Sequence, residues 1–120
     1  MSAAPEELLR WSTRESSQPL PGITASVALG AQLSAAVFTL APGAVVPHHD
    51  HPNEEFGQVL RGSLELRWAD QVHVLTAGQG FLLPAGVAHG ARALDEGCEL
   101  LECYAPPRVP TPPPASGASA

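Results

Sequence analysis

Lysine is absent from this 120-residue chain, and all six basic residues are arginine. That excludes Schiff-base chemistry on a lysine amine and any phosphate-binding loop that needs one. Aromatic residues are scarce, at three Phe, two Trp and one Tyr, so aromatic lining of any pocket must be sparse. No apolar run approaches the ~20 residues of a membrane span, and no membrane partner is expected. Positive charge is in deficit, with six basic against twelve acidic residues and a net charge of −6. A nucleic-acid surface, which needs a basic face, is disfavoured. The only two cysteines are Cys98 and Cys103. Five residues apart on a strand they point to opposite faces, so free, apolar thiols are expected rather than a disulfide. They form no CxxC pair for zinc or redox work. The first residues carry neither the basic nor the apolar region of a secretory signal, and a cytoplasmic location is expected.

Hydrophobic residues make up 44% of the chain, enough for the core of one domain. Turn signals recur at Pro21-Gly22, Pro42-Gly43, Arg61-Gly62, Ala69-Asp70, Gly78–Gly80, Pro84–Gly86 and Asp95–Gly97. Between them lie short segments that read as strands: Ile23–Leu29, Leu33–Leu40, Gln71–Leu75, Phe81–Leu83, Val87–Ala93 and Glu99–Tyr104. Phe56–Leu60 and Leu64–Trp68 flank Arg61-Gly62 like the arms of a hairpin. Strands at this spacing predict an all-β sandwich or barrel, whose inward residues can line a cavity. Only Glu6–Trp11 has a helical look. The expected layout is an N-terminal extension over 1–19, a barrel over 20–108 and a disordered Pro/Ala/Ser tail over 109–120.

Three of the five histidines crowd into His48, His49 and His51. His49 and His51, two apart on a strand, would share a face. Glu55 follows closely, and His89 comes from a later strand. Three imidazoles and a carboxylate converging inside a barrel suit a divalent transition metal with open coordination positions. A pair of surface or packed core histidines is the plain alternative. Pro47 and Pro52 bracket the cluster and pin its backbone. His48 and Asp50 have the opposite parity and read as outward-facing. His73, on an alternating stretch, reads as a surface or packing residue without a nearby partner.

Gly43, His49, His51, Glu55 and Gly62 match the first motif of the cupin family, G(x)5HxH(x)3–4E(x)6G, position by position. Gly78, Pro84, Gly86 and His89 match the second, G(x)5PxG(x)2H, whose trailing Asn falls on Ala93. The chain therefore resembles a compact single-domain cupin. The resemblance implies a jelly-roll (double-stranded β-helix) barrel, commonly a homodimer. It also implies one divalent metal ion (Mn, Fe, Ni, Zn, Co or Cu) held by His49, His51, Glu55 and His89.

The last strand offers Glu102 and Tyr104 at one parity, followed by Pro106-Pro107-Arg108. This ending resembles the DxFxPPR run of the pectin-degradation (KdgF-type) cupins, and the segment from His51 to Gly62 resembles their HPHEQxGYVLEG run. Their metal-ligand Gln falls on Glu55, their acid/base Asp on Glu102 and their Phe on Tyr104, while Arg108 matches. The resemblance implies a non-redox isomerase, ring-opening or lyase-like enzyme acting on a small sugar acid or related carbonyl compound. In it the metal would polarise an oxygen, Glu102 would move a proton, Tyr104 would hydrogen-bond or act as an acid, and Arg108 would hold a carboxylate. The alternatives are an iron or copper dioxygenase, a polyketide-cyclase-like cupin and a non-catalytic metal- or sugar-binding module.

Overall fold

A computed structural model describes residues 8–110. Among them there is no α-helix, and the one helical turn is a 3-10 turn at Trp11–Thr13. The helical reading of Glu6–Trp11 is thus corrected over Leu8–Arg10, which is irregular, and Glu6 and Glu7 lie outside the described residues. The tail from residue 111 onward also lies outside them.

Eight strands follow: β1 (Ser17–Leu20), β2 (Ile23–Leu29), β3 (Ser34–Leu40), β4 (Val45–His49), β5 (Glu54–Trp68), β6 (Gln71–Thr76), β7 (Gly80–Leu83) and β8 (His89–Ala105). All pair antiparallel, in the order β1-β2-β3-β8-β5-β6, with β4 added on β8 and β7 on β5. The sheet rolls into a barrel of the jelly-roll type. Alternation along each strand fills its interior with Ile23, Ala25, Ala36, Phe38, Leu40, Val59, Leu64, Ala93, Cys98 and Leu100. Both cysteines are free, Cys98 buried within this core and Cys103 half-buried on the other parity. β1 is a strand that no sequence signal announced, and it carries the buried Pro19.

Two expected turns are absent. Phe56–Leu60 and Leu64–Trp68 are halves of one 15-residue strand, and Val87–Ala93 and Glu99–Tyr104 fall largely within one 17-residue strand. The glycines that suggested turns, Gly62 (φ +75°) and Gly97 (φ +74°), instead let the two long strands bend together. The register between β5 and β8 shifts on both sides of Gly62, between Val59 and Arg61 and between Gly62 and Leu64. A glycine at positive φ makes such a bulge as readily as a turn. What decides is the partner strand, which here runs unbroken past both.

The contact is close. A Cβ on Gly62 would stand 2.1 Å from the Gly97 carbonyl oxygen, whereas one on Gly43 (φ +77°) would meet nothing within 4 Å. Gly43→Ala should therefore cost only the backbone strain, about 1 kcal/mol, and Gly62→Ala should cost at least ~2 kcal/mol more. Urea denaturation of both variants measures the difference, and equal losses would show that the bend tolerates a side chain.

Candidate metal centre

The centre is built where β4 ends and β8 begins. His49, the last residue of β4, pairs with His89, the first of β8. His51 lies past the end of β4, in the turn before β5. The expectation that both histidines project from one strand therefore holds for His49 alone. The loop brings His51 to the same point, and the Gly86 amide ties the Pro84–Gly86 turn to the His51 carbonyl at 2.9 Å.

The three imidazoles converge. Ring centroids are 4.5 Å apart for His49–His89, 5.2 Å for His51–His89 and 5.4 Å for His49–His51. One nitrogen from each lies within 4.8 Å of the others. His49 donates through Nδ1 to the Pro47 carbonyl, and His89 through Nδ1 to the Val87 carbonyl, each at 2.9 Å. A backbone carbonyl two residues upstream thus occupies Nδ1 of each ring, so that Nε2 is the nitrogen left for a further partner.

Glu55 completes the cluster and is only 2% exposed. Its Oε1 lies 2.8 Å from His51 Nε2 and 3.2 Å from His89 Nε2. One buried carboxylate oxygen facing two ring nitrogens needs positive charge between them, as protons or as a shared cation. His51 Nδ1 is buried with no hydrogen-bond partner among the described residues. A divalent ion therefore fits the donor set: two oriented imidazoles, a third with an orphaned nitrogen, and a buried anion.

A second carboxylate opposes the first. Glu102 hydrogen-bonds Glu55 and accepts from the Tyr104 hydroxyl. Burial, then the nearby Glu55 charge, pushes Glu102 well above the usual carboxylate range. Glu55 goes the other way. Burial works to raise it, but hydrogen bonds from His89 and Glu102 and the charges of His89 and His51 outweigh that and hold it at about 2. Glu55 is thus the ionised partner and Glu102 the proton-bearing one. Burial, then Glu102 and Glu55, also raises the Tyr104 phenol well above its ordinary value. Burial lowers His49, whereas in His89 the Glu55 and Val87 hydrogen bonds overcome burial and raise it.

Arg108 reaches the same cavity from beyond β8. Its backbone is clasped by Ser34, wholly buried, whose Oγ donates to the Arg108 carbonyl and accepts from its amide, both at 2.8 Å. Asn53 Nδ2 donates to the Pro106 carbonyl at 2.6 Å. The half-buried Arg108 guanidinium has no hydrogen-bond partner among the described residues. Sequence reasoning missed Ser34 and Asn53. Asn53 stood within the histidine motif without a role, and Ser34 carried no signal at all.

His48 and Asp50 are exposed, in line with their parity. His73 does have partners: it stacks on Trp68 with centroids 4.3 Å apart and hydrogen-bonds Gln71 at 3.0 Å, a packing role on the outer face.

Comparison with known proteins agrees with this architecture. Residues 36–104, more than half of the chain, match the family model described as a cupin domain. Protein SchB of Streptomyces halstedii is 35% identical over 77 residues, 63% of this chain, and the chain spans about half (56%) of that relative's length. The structure of KdgF from a Halomonas species superposes with a TM-score of 0.81 at 24% identity, covering 87% of this chain and 96% of that one. An RmlC-like cupin from Shewanella frigidimarina gives 0.80 at 25% identity, covering 87% and 94%. These likenesses speak to the fold.

Metal binding to the folded state should raise stability by mass action, about 2.7 kcal/mol when free metal is 100 times Kd. Chelator-treated protein should gain several degrees of melting temperature on addition of a suitable divalent transition metal ion. His89→Ala should abolish the gain. A melting temperature indifferent to Mn, Fe, Co, Ni, Cu and Zn would refute the centre.

Proposed function

The chain belongs to the cupin family, and on that premise we propose that it is a metal-dependent, non-redox enzyme moving protons on an anionic carbonyl compound. The observation that carries the reading is the Glu102 carboxyl, which accepts from the Tyr104 hydroxyl and lines, with Glu55, the cavity shared by His49, His89 and Arg108. In this reading His49, His51, His89 and Glu55 hold the ion. When bound, the ion supplies a Lewis acid that polarises a substrate oxygen.

This chain's own residues do the rest. Arg108, whose guanidinium has no hydrogen-bond partner among the described residues, pairs with the substrate's anionic group and sets its orientation. Glu102, neutral at rest, gives its proton to the reacting centre and recovers one as the substrate rearranges. Tyr104 steadies the Glu102 carboxyl by donating its hydroxyl hydrogen. Glu55 favours the neutral form of Glu102, because two adjacent carboxylates shielded from water repel. Isomerisation between enol and keto forms, or ring opening, needs nothing further, since the same number of protons leaves and returns. A homodimer in the cytoplasm belongs to the same reading. Val72 and Val74, exposed on edge strand β6, offer an apolar surface for it.

Glu102→Gln keeps the shape and removes the transferable proton. Turnover of enolisable keto acids should fall by ~100-fold or more, with metal content and melting temperature close to the parent's. Arg108→Gln should raise KM roughly tenfold or more with a smaller change in kcat. Turnover should be the same under nitrogen as in air. Loss of activity without oxygen would replace this reading by the dioxygenase one, and full activity in Glu102→Gln would remove that residue from the chemistry.

A further inference from the structure

The cavity has a volume of about 740 Å³, and its polarity is divided along the strands. β8 is flanked by β3 on one edge and β5 on the other, so inward residues form rows across three strands. The row through Tyr104 is Ser34–Tyr104–Glu55, and the row through Glu102 is Ala36–Glu102–Gly57. The next is Phe38–Leu100–Val59, and beyond it come Leu40 and Cys98. Two residues along a strand advance about 7 Å. The wall therefore passes from acid and hydroxyl in the Tyr104 row, through Glu102 flanked by Ala36 and Gly57, to pure hydrocarbon in the Phe38 row. His49, His89 and Arg108 line the same cavity as Glu55, Glu102 and Tyr104, and Ile23, Leu40, Leu64 and Leu66 continue the apolar part.

One aromatic ring stands at the boundary. Phe81 on β7 pairs with Gly57, and its ring lies across the Gly57 Cα. A Cβ at Gly57 would stand 2.1 Å from Phe81 Cζ and 2.4 Å from Cε2. Gly57 is thus the recess that seats the ring in the row of Glu102, where it lines the cavity. Ala36, on the other side of Glu102, is also a small residue.

We propose that the substrate is a carbonyl acid with an apolar, ring-bearing body. Its head lies at the histidines, Glu102 and Arg108, and its body against Phe38, Leu100 and Phe81. Phe81, seated on Gly57, is the specificity-determining residue. A body with a hydroxyl on every carbon would lose its water hydrogen bonds and find no partner on this wall, since no hydrogen-bonding side chain occurs in the Phe38 row. An apolar body gains from the same burial. The cavity is also larger than a small sugar acid fills, and apolar pockets with a few convergent polar groups are the common form of small-molecule sites. The inference rests on the proton-transfer reading only for the head group.

Three 2-keto acids share that head and differ in body: pyruvate, phenylpyruvate and 2-ketogluconate. Calorimetric titration into the metal-loaded protein reads the body alone, because contributions of metal and Arg108 are common to all three. Phenylpyruvate should bind at least ~10-fold tighter than pyruvate, and 2-ketogluconate no tighter than pyruvate. Phe81→Ala should reduce the preference for phenylpyruvate over pyruvate by about tenfold, while Phe81→Leu should keep most of it. Tighter binding of 2-ketogluconate than of phenylpyruvate would overturn the proposal, as would a preference for phenylpyruvate that survives Phe81→Ala in a folded protein. Exchange of the phenylpyruvate C3 protons with deuterated water, followed by NMR, reads the chemistry separately. Preference without exchange supports the apolar body and rejects the proton-transfer reading. Exchange together with preference for 2-ketogluconate does the reverse.

Discussion

β8 shares both of its edges along residues 98–104, with β3 on one side and β5 on the other, and the register of those two ladders carries the site. It places Glu102 between Ala36 and Gly57, and Tyr104 between Ser34 and Glu55. A slip of one residue would turn Glu102, Tyr104 and Leu100 to the outer face and bring Leu101 and Cys103 inward. The core would lose Leu100, and the metal-side carboxylate Glu55 would lose its neighbour. The same strand begins at His89, so a histidine of the candidate centre, the Glu102 carboxyl and the apolar wall all derive from one continuous segment. The paired bend at Gly62 and Gly97 lets that segment close the barrel without a break.

Within this frame the buried Glu55 and the half-buried Glu102 are pushed in opposite directions by their surroundings. Both suffer desolvation, yet only Glu55 has imidazoles against it, so it takes the negative charge and Glu102 takes the proton. Burying two acids this close is costly to folding and is typical of sites where function decides composition. The cost is moderated because one acid stays neutral and both are hydrogen-bonded. Replacing either by a hydrocarbon would relieve the core and remove the contrast between the two carboxyls.

Much of this was legible in residue spacing. The glycines, histidines and prolines of two short motifs located the centre, and strand parity paired Glu102 with Tyr104 and set His48 apart. What was not legible depends on long-range pairing. Arg61-Gly62 and Asp95–Gly97 look like turns because positive φ serves turns and bulges alike, and only the opposing strand distinguishes them. β1 has a polar, proline-containing sequence suited to a sheet edge, so it lacks the apolar alternation that marks inner strands. Ser34 and Asn53 act across 74 and 53 residues of chain, a reach that no local pattern records. The polarity of the cavity was hidden for the same reason: each strand alone shows a mixed row, and the division appears only when three are aligned.

Those two long-range residues also explain how one site holds groups of such different origin in one geometry. Asn53 lies in the loop between His51 and Glu55 and grips the Pro106 carbonyl, while Ser34 grips both backbone groups of Arg108. The segment that brings the cation to the cavity is therefore fastened at one end to the metal-side loop and at the other to β3. Proline at 106 and 107 narrows the backbone freedom between the two fastenings. The side chain of Arg108 retains its own rotamers, but its Cα does not wander. A charged group placed this way loses less on gripping an anion than one on a free terminus would, because the backbone ordering was met on folding. Preorganisation of Arg108, Glu102 and the histidine cluster is thus a single property of how β3, the loop before β5 and the end of β8 are joined.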